Sequence, residues 1–222
     1  MEVFELLNAR HSVRAFNDRK IEPEVVNTLQ GVIEDCNKES GLHIQLILDE
    51  PNAFKHILSR IQKFRNAKNY IALIGKNTSD LNSKIGYYGE KIVLKATELG
   101  LGTCWVVMTY SKKKCAGLIA DDEKRVAVIA LGYFDKGGVP HTTKSIEELS
   151  RVEGEMPDWF RRGMEAARLA PTGKNHQNFL FSLKGNTVTA IAKRGAGTDI
   201  DLGIVKYHFE LDAGSADWKW AE

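Results

Sequence analysis

The sequence has few cysteines and no long apolar segment. Its three cysteines form no CxxC pair, which argues against a disulfide framework and is typical of reduced thiols in the cytosol. No apolar run approaches the roughly 20 residues that a membrane-spanning helix needs. The first five residues, MEVFE, are acidic and lack a signal-peptide pattern. We therefore expect a cytoplasmic protein that does not contact a membrane.

A strong charge excess and the common metal and nucleotide motifs are absent as well. The formal net charge is +2 and the pI is about 8.3, which is too mild to indicate a partner made of nucleic acid. We find no zinc-ligand spacing, no HExxH and no P-loop, and so expect no metal site. Gly100 and Gly102 begin a dinucleotide fingerprint, but Trp105 stands where its third glycine is needed.

The hydrophobic pattern predicts one domain over residues 1–222 that mixes helices and strands. Hydrophobic residues make up 43% of the 222 residues, enough for a sizeable core. Because helices and strands do not alternate strictly, the pattern favours an α+β fold over a doubly wound sheet. Predicted helices span residues 3–9, 23–37, 52–64, 81–99 and 159–169, and a last helix starts near residue 198. Predicted strands span residues 42–48, 70–75, 103–109, 125–133, 179–183 and 187–192. The last two are predicted to form a hairpin around Gly185 and Asn186.

Three shorter segments have weaker patterns. We predict that the lysines of residues 112–114 lie on a solvated helix face and that residues 150–157 form a linker. Asp199 and Asp201 supply carboxylates that can cap the last helix. The tail carries Trp218 and Trp220, which either pack on their own domain or are covered by a second subunit.

Residues 167–177 join a predicted helix to a predicted strand through a polar loop. The helix should stop before Pro171, because the residue that precedes a proline is disfavoured in helical geometry. Asn175 and Gln177 follow, and their amides can both donate and accept hydrogen bonds. Such groups suit the alternating carbonyls and nitrogens of a flavin ring. An ordinary helix–strand connection is the alternative.

Near the N-terminus, two arginines flank a serine. Arg10, Ser12 and Arg14 alternate along the chain, and Val13 points away from them. Two guanidiniums and a hydroxyl at this spacing can converge on one phosphate, which arginine binds with both branches of its fork. A solvated basic strand is the alternative interpretation.

Four stretches together resemble the nitroreductase-like FMN family. Residues 10–16 resemble its phosphate-binding N-terminal motif, and residues 167–177 resemble its flavin-binding Ala-Pro-Ser/Thr-x-x-Asn-x-Gln loop. Residues 98–105 resemble its helix–strand junction, and residues 201–211 resemble the terminal helix of one subgroup. The Ala-Pro-Thr loop lies near the C-terminus, as in a rearranged subgroup of the family. The resemblance implies a three-layer α+β fold with a central, mixed, mainly antiparallel sheet flanked by helices, and an intertwined homodimer.

The resemblance also implies contacts with three parts of FMN: the phosphate, the ring with its ribityl chain, and the reactive edge of the ring. The implied phosphate contacts are Arg10, His11, Ser12, Arg14 and Lys144. The implied contacts to the ring and ribityl chain are Pro171, Thr172, Lys174, Asn175 and Gln177. The residues implied near the reactive edge are Val107, Met108 and Thr109.

An FMN-dependent oxidoreductase with a ping-pong mechanism is the function that the resemblance implies. NAD(P)H would give a hydride to flavin N5 and leave, and a small electron acceptor such as a nitroaromatic or a quinone would replace it. No catalytic side chain is expected, because the chemistry takes place at N5. A non-catalytic FMN-binding carrier or regulatory protein is the alternative, since Asn178 and Phe134 stand where the family has proline. A structural dimer without a ligand is a third hypothesis.

Overall fold

The computed structural model describes residues 1–55 and 63–221 and confirms the α+β class. The helices are α1 Val3–Ala9, α2 Pro23–Ser40, α3 Leu81–Glu98, α4 Ile146–Leu149, α5 Asp158–Arg168 and α6 Thr198–Ala213. The strands are β1 Gln45–Ile47, β2 Asn69–Lys76, β3 Gly102–Val106, β4 Glu123–Gly132, β5 Ser150–Val152, β6 Phe179–Lys184, β7 Thr187–Ala192 and β8 Lys219–Trp220.

The chain forms two compact units, each with its own four-stranded sheet. Unit 1 consists of Met1–Asn8, Asn82–Glu90 and His141–Glu222, and unit 2 consists of Ala9–Leu81 and Lys91–Pro140. The sheet of unit 2 has the order β1-β2-β4-β3, and that of unit 1 has the order β5-β6-β7-β8. The prediction of one domain over residues 1–222 stays a prediction.

The sheet of unit 2 fixes the segment that carries the two arginines. All strand pairs in this sheet are antiparallel, and β2 and β4 are buried over most of their length, as their continuous apolar runs predict. Beside the edge strand β3, Ser12 forms a parallel bridge with Thr103, and the N–H of Val13 donates to the Thr103 carbonyl at 2.8 Å. A Cβ atom on Gly102 would lie 2.8 Å from Cβ of Val13, so this glycine permits the close approach.

The sheet of unit 1 is built around the predicted hairpin of β6 and β7. These strands pair antiparallel across Gly185, whose φ of 56° is the left-handed conformation that the turn requires. β5 and β8 add parallel neighbours on either side. Behind the sheet, Phe209 of α6 packs against a group of aromatic rings within the same unit: Phe160, Phe181, Trp218 and Trp220.

Both tail tryptophans pack on their own unit. The ring of Trp218 stacks on Trp159 with centroids 5.8 Å apart and planes 7° from parallel. The indole N–H of Trp220 donates to Glu210 at 2.6 Å, and the Lys206 ammonium lies 4.3 Å from the Trp220 ring centre. Of the two alternatives for the tail, the structure shows packing within the unit.

Two glycines let α3 and α6 meet backbone to backbone within unit 1. A Cβ atom on Gly86 would lie 2.0 Å from the Ile200 carbonyl oxygen, and one on Gly203 would lie 2.0 Å from the Ser83 carbonyl oxygen. These neighbours are backbone atoms, so a side chain at either position can fit only if a helix moves.

We expect Gly203→Ala to lower the free energy of unfolding by about 1–3 kcal/mol, because an added methyl group would force the two helices apart. Urea denaturation measures this change. Gly31→Ala is the matched control, since no atom lies within 4 Å of a Cβ atom at that helical position. An unfolding free energy for Gly203→Ala equal to or above that of Gly31→Ala would contradict the close helix contact.

Several local predictions from the sequence are corrected by the structure. Residues 112–114 form a turn and no helix. Residues 150–152 of the predicted linker are strand β5, and the strand predicted over residues 103–109 ends at Val106. The helix predicted over residues 52–64 appears as a 3-10 turn at Asn52–Phe54, residues 63–64 are not helical, and residues 56–62 lie outside the described residues. Gly197, without a side-chain bond, occupies the cap position predicted for Asp199 or Asp201.

Candidate functional site

Within unit 2, the structure brings the three side chains of the arginine–serine motif together around Cys104. The Ser12 hydroxyl hydrogen-bonds to Cys104, and Arg10 and Arg14 are close enough to act on the sulfur electrostatically. Burial raises the pKa of the Cys104 thiol, and this effect exceeds the opposing effects of the two guanidiniums and the hydroxyl. The thiol is therefore neutral at pH 7, and the cluster keeps its positive charge. A buried Arg10, with only 4% of its surface exposed, anchors one end of the cluster.

A glycine-containing loop forms the wall beside this motif. A Cβ atom on Gly138 would lie 2.6 Å from Cβ of His11 and 2.8 Å from the carbonyl oxygen of Ser12. A residue with a side chain at this position would push the loop away from the motif. The half-buried His11, predicted as an FMN phosphate contact, thus lies between the motif and this loop.

Three basic residues that sequence reasoning missed share a groove with the motif. Lys63, Arg65 and Lys136 line the groove together with Ser12 and Arg14. The only sequence signal for them is the alternation of Lys63 and Arg65, which is as common on solvated strands as in anion sites.

The residues predicted near the reactive edge of the flavin follow β3 in unit 2. Val107 and Thr109 are half-buried, and 68% of Met108 is exposed. They lie in an irregular bend, because β3 ends at Val106. Their predicted proximity to a flavin stays a prediction.

The polar loop of unit 1 has an unusual backbone. Lys174, Asn175 and Gln177 have φ angles of 51°, 58° and 49°, in the left-handed region that residues with side chains seldom occupy. Such a conformation persists only where the surroundings enforce it, and it is concentrated at functional sites. One enforcing contact is the N–H of Gln177, which donates to the Thr172 hydroxyl at 3.0 Å.

Gln177 is the centre of the hydrogen bonds that hold this loop. Its side chain is 3% exposed and accepts from the main-chain N–H of Lys144 at 2.9 Å, while its amide nitrogen donates to the Thr142 carbonyl at 3.1 Å. The Asn175 amide also donates to the Thr142 carbonyl, at 2.9 Å. The Lys144 ammonium donates to the His176 carbonyl at 2.7 Å. These polar groups set the shape of the loop, and their predicted flavin contacts stay predictions.

The remaining predicted residues of the loop are more open. Pro171 and Thr172 are half-buried, and Lys174 is exposed. The exposed residues of the loop are Gly173, Lys174 and His176, and together with Pro171 and Thr172 they form its accessible part.

A buried carboxylate of α6 holds the loop from the other side. Both oxygens of Asp201 lie 3.0 Å from the Gly173 nitrogen, whose N–H they accept. Burial raises the pKa of Asp201 from its ordinary value of 3.8 to about 6, and the Gly173 N–H partly opposes this shift. The carboxylate is thus destabilised in the folded state but ionised at pH 7.

We expect Asp201→Asn to remove a pH-dependent loss of stability. Since folding raises the pKa of Asp201, its stabilising contribution is full below about pH 4 and is lost as the pH rises through 6. The fall in unfolding free energy between pH 4 and pH 8 should therefore be smaller by about 3 kcal/mol in the asparagine variant. Urea denaturation at both pH values measures this difference. Asp199→Asn, at an exposed position two residues away, is the control, and equal pH profiles for the two variants would contradict the assignment.

None of the described helices combines the length and the apolar character that crossing a membrane requires.

Comparison with solved structures shows the same fold in nitroreductases. A putative nitroreductase from Thermotoga maritima matches with a TM-score of 0.68 and 23% identity, covering 96% of this chain and 83% of that one. A putative nitroreductase in complex with FMN from Desulfovibrio desulfuricans matches with a TM-score of 0.55 and 18% identity, covering 70% of this chain and 98% of that one. A putative NADH dehydrogenase/NAD(P)H nitroreductase from Parabacteroides distasonis matches with a TM-score of 0.53 and 18% identity, covering 66% and 95%.

The fold, with its two sheets flanked by helices, therefore defines a nitroreductase-like α+β protein. The profile of the family described as "Putative TM nitroreductase" matches residues 2–213, and the chain belongs to that family. A comparison with curated proteins finds no match.

Proposed function

We propose that this protein is an FMN-dependent oxidoreductase that uses NAD(P)H to reduce a small electron acceptor such as a nitroaromatic or a quinone. The observation that carries the proposal is that Ser12 and Arg14 line one groove and, together with Arg10, act on the Cys104 thiol, in a member of a nitroreductase family. The FMN in the Desulfovibrio relative supports the choice of cofactor. The name of the Parabacteroides relative supports a pyridine nucleotide as reductant.

The residues of the cluster fit the phosphate of FMN chemically. A phosphomonoester carries a charge of about −1.5 to −2 at pH 7 and has three strong acceptor oxygens. Arg10 and Arg14 offer guanidinium donors, and Ser12 offers a hydroxyl. We propose that these three side chains hold the phosphate and that His11 adds a main-chain or ring contact.

We further propose that the accessible part of the loop at Pro171, Thr172 and Lys174 contacts the isoalloxazine ring or the ribityl chain. Bound FMN would supply the hydride chemistry at N5. Gln177 and Lys144 would act as positioning residues, because their side chains hold the left-handed backbone of the loop. A cation such as Lys174 would stabilise negative charge on the reduced ring.

The purified protein is expected to show a flavin absorbance spectrum that bleaches when NADH or NADPH is added without oxygen. Anaerobic visible spectroscopy with both nucleotides measures this. A flavin spectrum that neither nucleotide bleaches would favour the FMN-binding carrier. A colourless protein that takes up no added FMN, and gains no thermal stability from it, would contradict both functions, because a ligand of the native state raises apparent stability.

A homodimer remains part of the proposal. It rests on the family resemblance, since Trp218 and Trp220 pack within unit 1 and need no second subunit to cover them. Sedimentation velocity should give a species of twice the chain mass of 24.8 kDa.

A further inference from the structure

A basic groove in unit 2 is lined in part by Ser12 and Arg14 of the arginine–serine motif. It has a volume of about 590 Å³. Its lining consists of Ser12, Val13, Arg14, Ala15, Lys63, Arg65, Lys136, Gly137 and Gly138. Four of these nine residues are cations and none is acidic. Exposed arginines and lysines are usually interspersed with acidic residues, whereas all the charged residues of this lining are positive.

Main-chain pairing brings the cations of the basic groove together. The N–H of Arg65 donates to the Arg14 carbonyl at 2.9 Å, and the N–H of Phe16 donates to the Arg65 carbonyl at 3.1 Å, which forms a parallel bridge between Ala15 and Arg65. The main chain of Arg65 therefore has the structural role, and its exposed guanidinium is available to a ligand.

Two further cations complete the lining. Lys63 has a left-handed φ of 61°, and Lys136 precedes the two glycines of the wall. The ion pairs found among residues 1–55 and 63–221 include none of Arg14, Lys63, Arg65 and Lys136. These charges are thus not neutralised by described carboxylates.

The positive charge exceeds what one phosphate needs. The lining of the groove alone presents four cations, whereas the phosphate of FMN carries at most about two negative charges. If Arg10, Ser12 and Arg14 hold that phosphate, then Lys63, Arg65 and Lys136 remain for a second anion. Gly138 allows the loop that carries Lys136 to pack directly on His11 and Ser12, which holds Lys136 beside the motif.

We propose that the basic groove binds a second phosphomonoester, the adenosine 2′-phosphate of NADPH, so that the enzyme prefers NADPH to NADH. This inference rests on the proposed function for the reductant. A 2′-phosphate adds about two negative charges that NADH lacks, and Arg65 can bind it through both branches of its fork. The three surplus cations match this added charge better than they match the uncharged 2′-hydroxyl of NADH.

Steady-state kinetics of the double variant Lys63→Gln/Arg65→Gln test the proposal. We expect the KM for NADPH to rise by at least about tenfold and the preference for NADPH over NADH to fall by a similar factor. Lys136→Gln should produce a smaller change in the same direction. Lys38→Gln is the matched control, because it removes an equally exposed cation from α2, outside the groove, and should leave both KM values at the wild-type level. The preference of the wild type for NADPH over NADH should weaken as the salt concentration rises from about 20 to about 300 mM, because salt screens exposed charges.

Binding of two nucleotide fragments to the wild-type protein separates this inference from the proposed function. Calorimetric titration should show that 2′,5′-ADP binds at least about tenfold more tightly than 5′-AMP, which lacks only the 2′-phosphate, and that the double variant loses this difference. That result in a protein without flavin would uphold the groove and refute the oxidoreductase. Turnover with equal KM values for NADPH and NADH would refute the groove alone. A loss of FMN affinity in the double variant, with an unchanged nucleotide preference, would assign the groove to the phosphate of FMN and overturn the inference.

Discussion

Replacing Arg14 with glutamate is expected to weaken FMN binding by roughly a hundredfold to ten-thousandfold. Arg14 lines the same groove as Ser12 and acts electrostatically on the Cys104 thiol, and this is where we propose that the phosphate binds. A hydrogen bond to a charged group contributes about 1.5–3 kcal/mol, and we expect a carboxylate in its place to add repulsion of similar size. Titration of the apoprotein with FMN, followed by flavin fluorescence, measures the dissociation constant.

Because Arg14 is exposed, its replacement should affect FMN binding without affecting the stability of the fold. Its side chain contributes little to the core, so the glutamate variant should melt within a few degrees of the wild type. Arg14→Ala should have an intermediate effect and Arg14→Lys the smallest, because lysine keeps the charge and loses only the fork. Lys38→Glu makes the same charge change on α2 and should leave FMN affinity unchanged. An FMN affinity of Arg14→Glu within threefold of the wild type would rule out the phosphate assignment.

Elements that depend on neighbours along the chain were the ones that the sequence predicted well. Helix α2 begins at Pro23 and ends at Ser40 before Gly41, whose φ of 71° is the left-handed cap that glycine favours. The hairpin of β6 and β7 turns at Gly185 as predicted. In both cases one or two residues impose the local geometry, whatever the rest of the chain does.

Elements that depend on distant partners were missed. Residues 150–152 are too short and too polar to indicate a strand, and they become one because Ser150 pairs in parallel with Phe181. Residues 112–114 look like a helix face by charge alone, but no apolar periodicity supports a helix there. The pairing of Arg65 with Ala15, which creates the basic groove, joins residues 50 positions apart and leaves no signal in either segment.

The candidate site shows the same difference between features set by neighbouring residues and features set by distant ones. The spacing of Arg10, Ser12 and Arg14 predicted one shared site, and in the structure all three side chains act on the Cys104 thiol, while their contact with a phosphate stays a prediction. The part played by Asp201 was misassigned, because an acidic residue in the first turn of a helix usually caps it. Its carboxylate instead accepts from Gly173, 28 residues earlier in the chain, and this contact exists only once α6 packs beside the loop.

Within unit 1, a buried histidine and a buried glutamate connect three helices. His208 of α6 and Glu90 of α3 are both fully buried, and His208 Nε2 lies 2.9 Å from a Glu90 oxygen. The other ring nitrogen, Nδ1, lies 3.1 Å from the carbonyl oxygen of Ala166 in α5. The pair therefore links α3, α5 and α6 within unit 1.

The Ala166 carbonyl dictates the protonation of this pair. A carbonyl oxygen can only accept, so Nδ1 carries a hydrogen, and the proton between Nε2 and Glu90 resides on one of the two. Whichever group holds it, the pair has no net charge. Removing the histidine would leave Glu90 buried without its Nε2 partner, whereas a glutamine at position 90 could still donate an amide N–H to a neutral Nε2.

We expect His208→Leu to lower the free energy of unfolding by about 3–5 kcal/mol, because the fully buried Glu90 would lose its hydrogen bond with Nε2. Glu90→Gln should cost much less, since its amide keeps the hydrogen bond, and the double variant Glu90→Leu/His208→Leu should recover part of the loss by replacing the pair with apolar side chains. Urea denaturation of the wild type and the three variants measures these differences. Equal destabilisation by Glu90→Gln and His208→Leu would mean that a hydrogen bond to a neutral histidine is not enough. The stabilising form would then be an ion pair between a charged His208 and a charged Glu90. Equal stability of all three variants and the wild type would show that the pair does not hold the helices together.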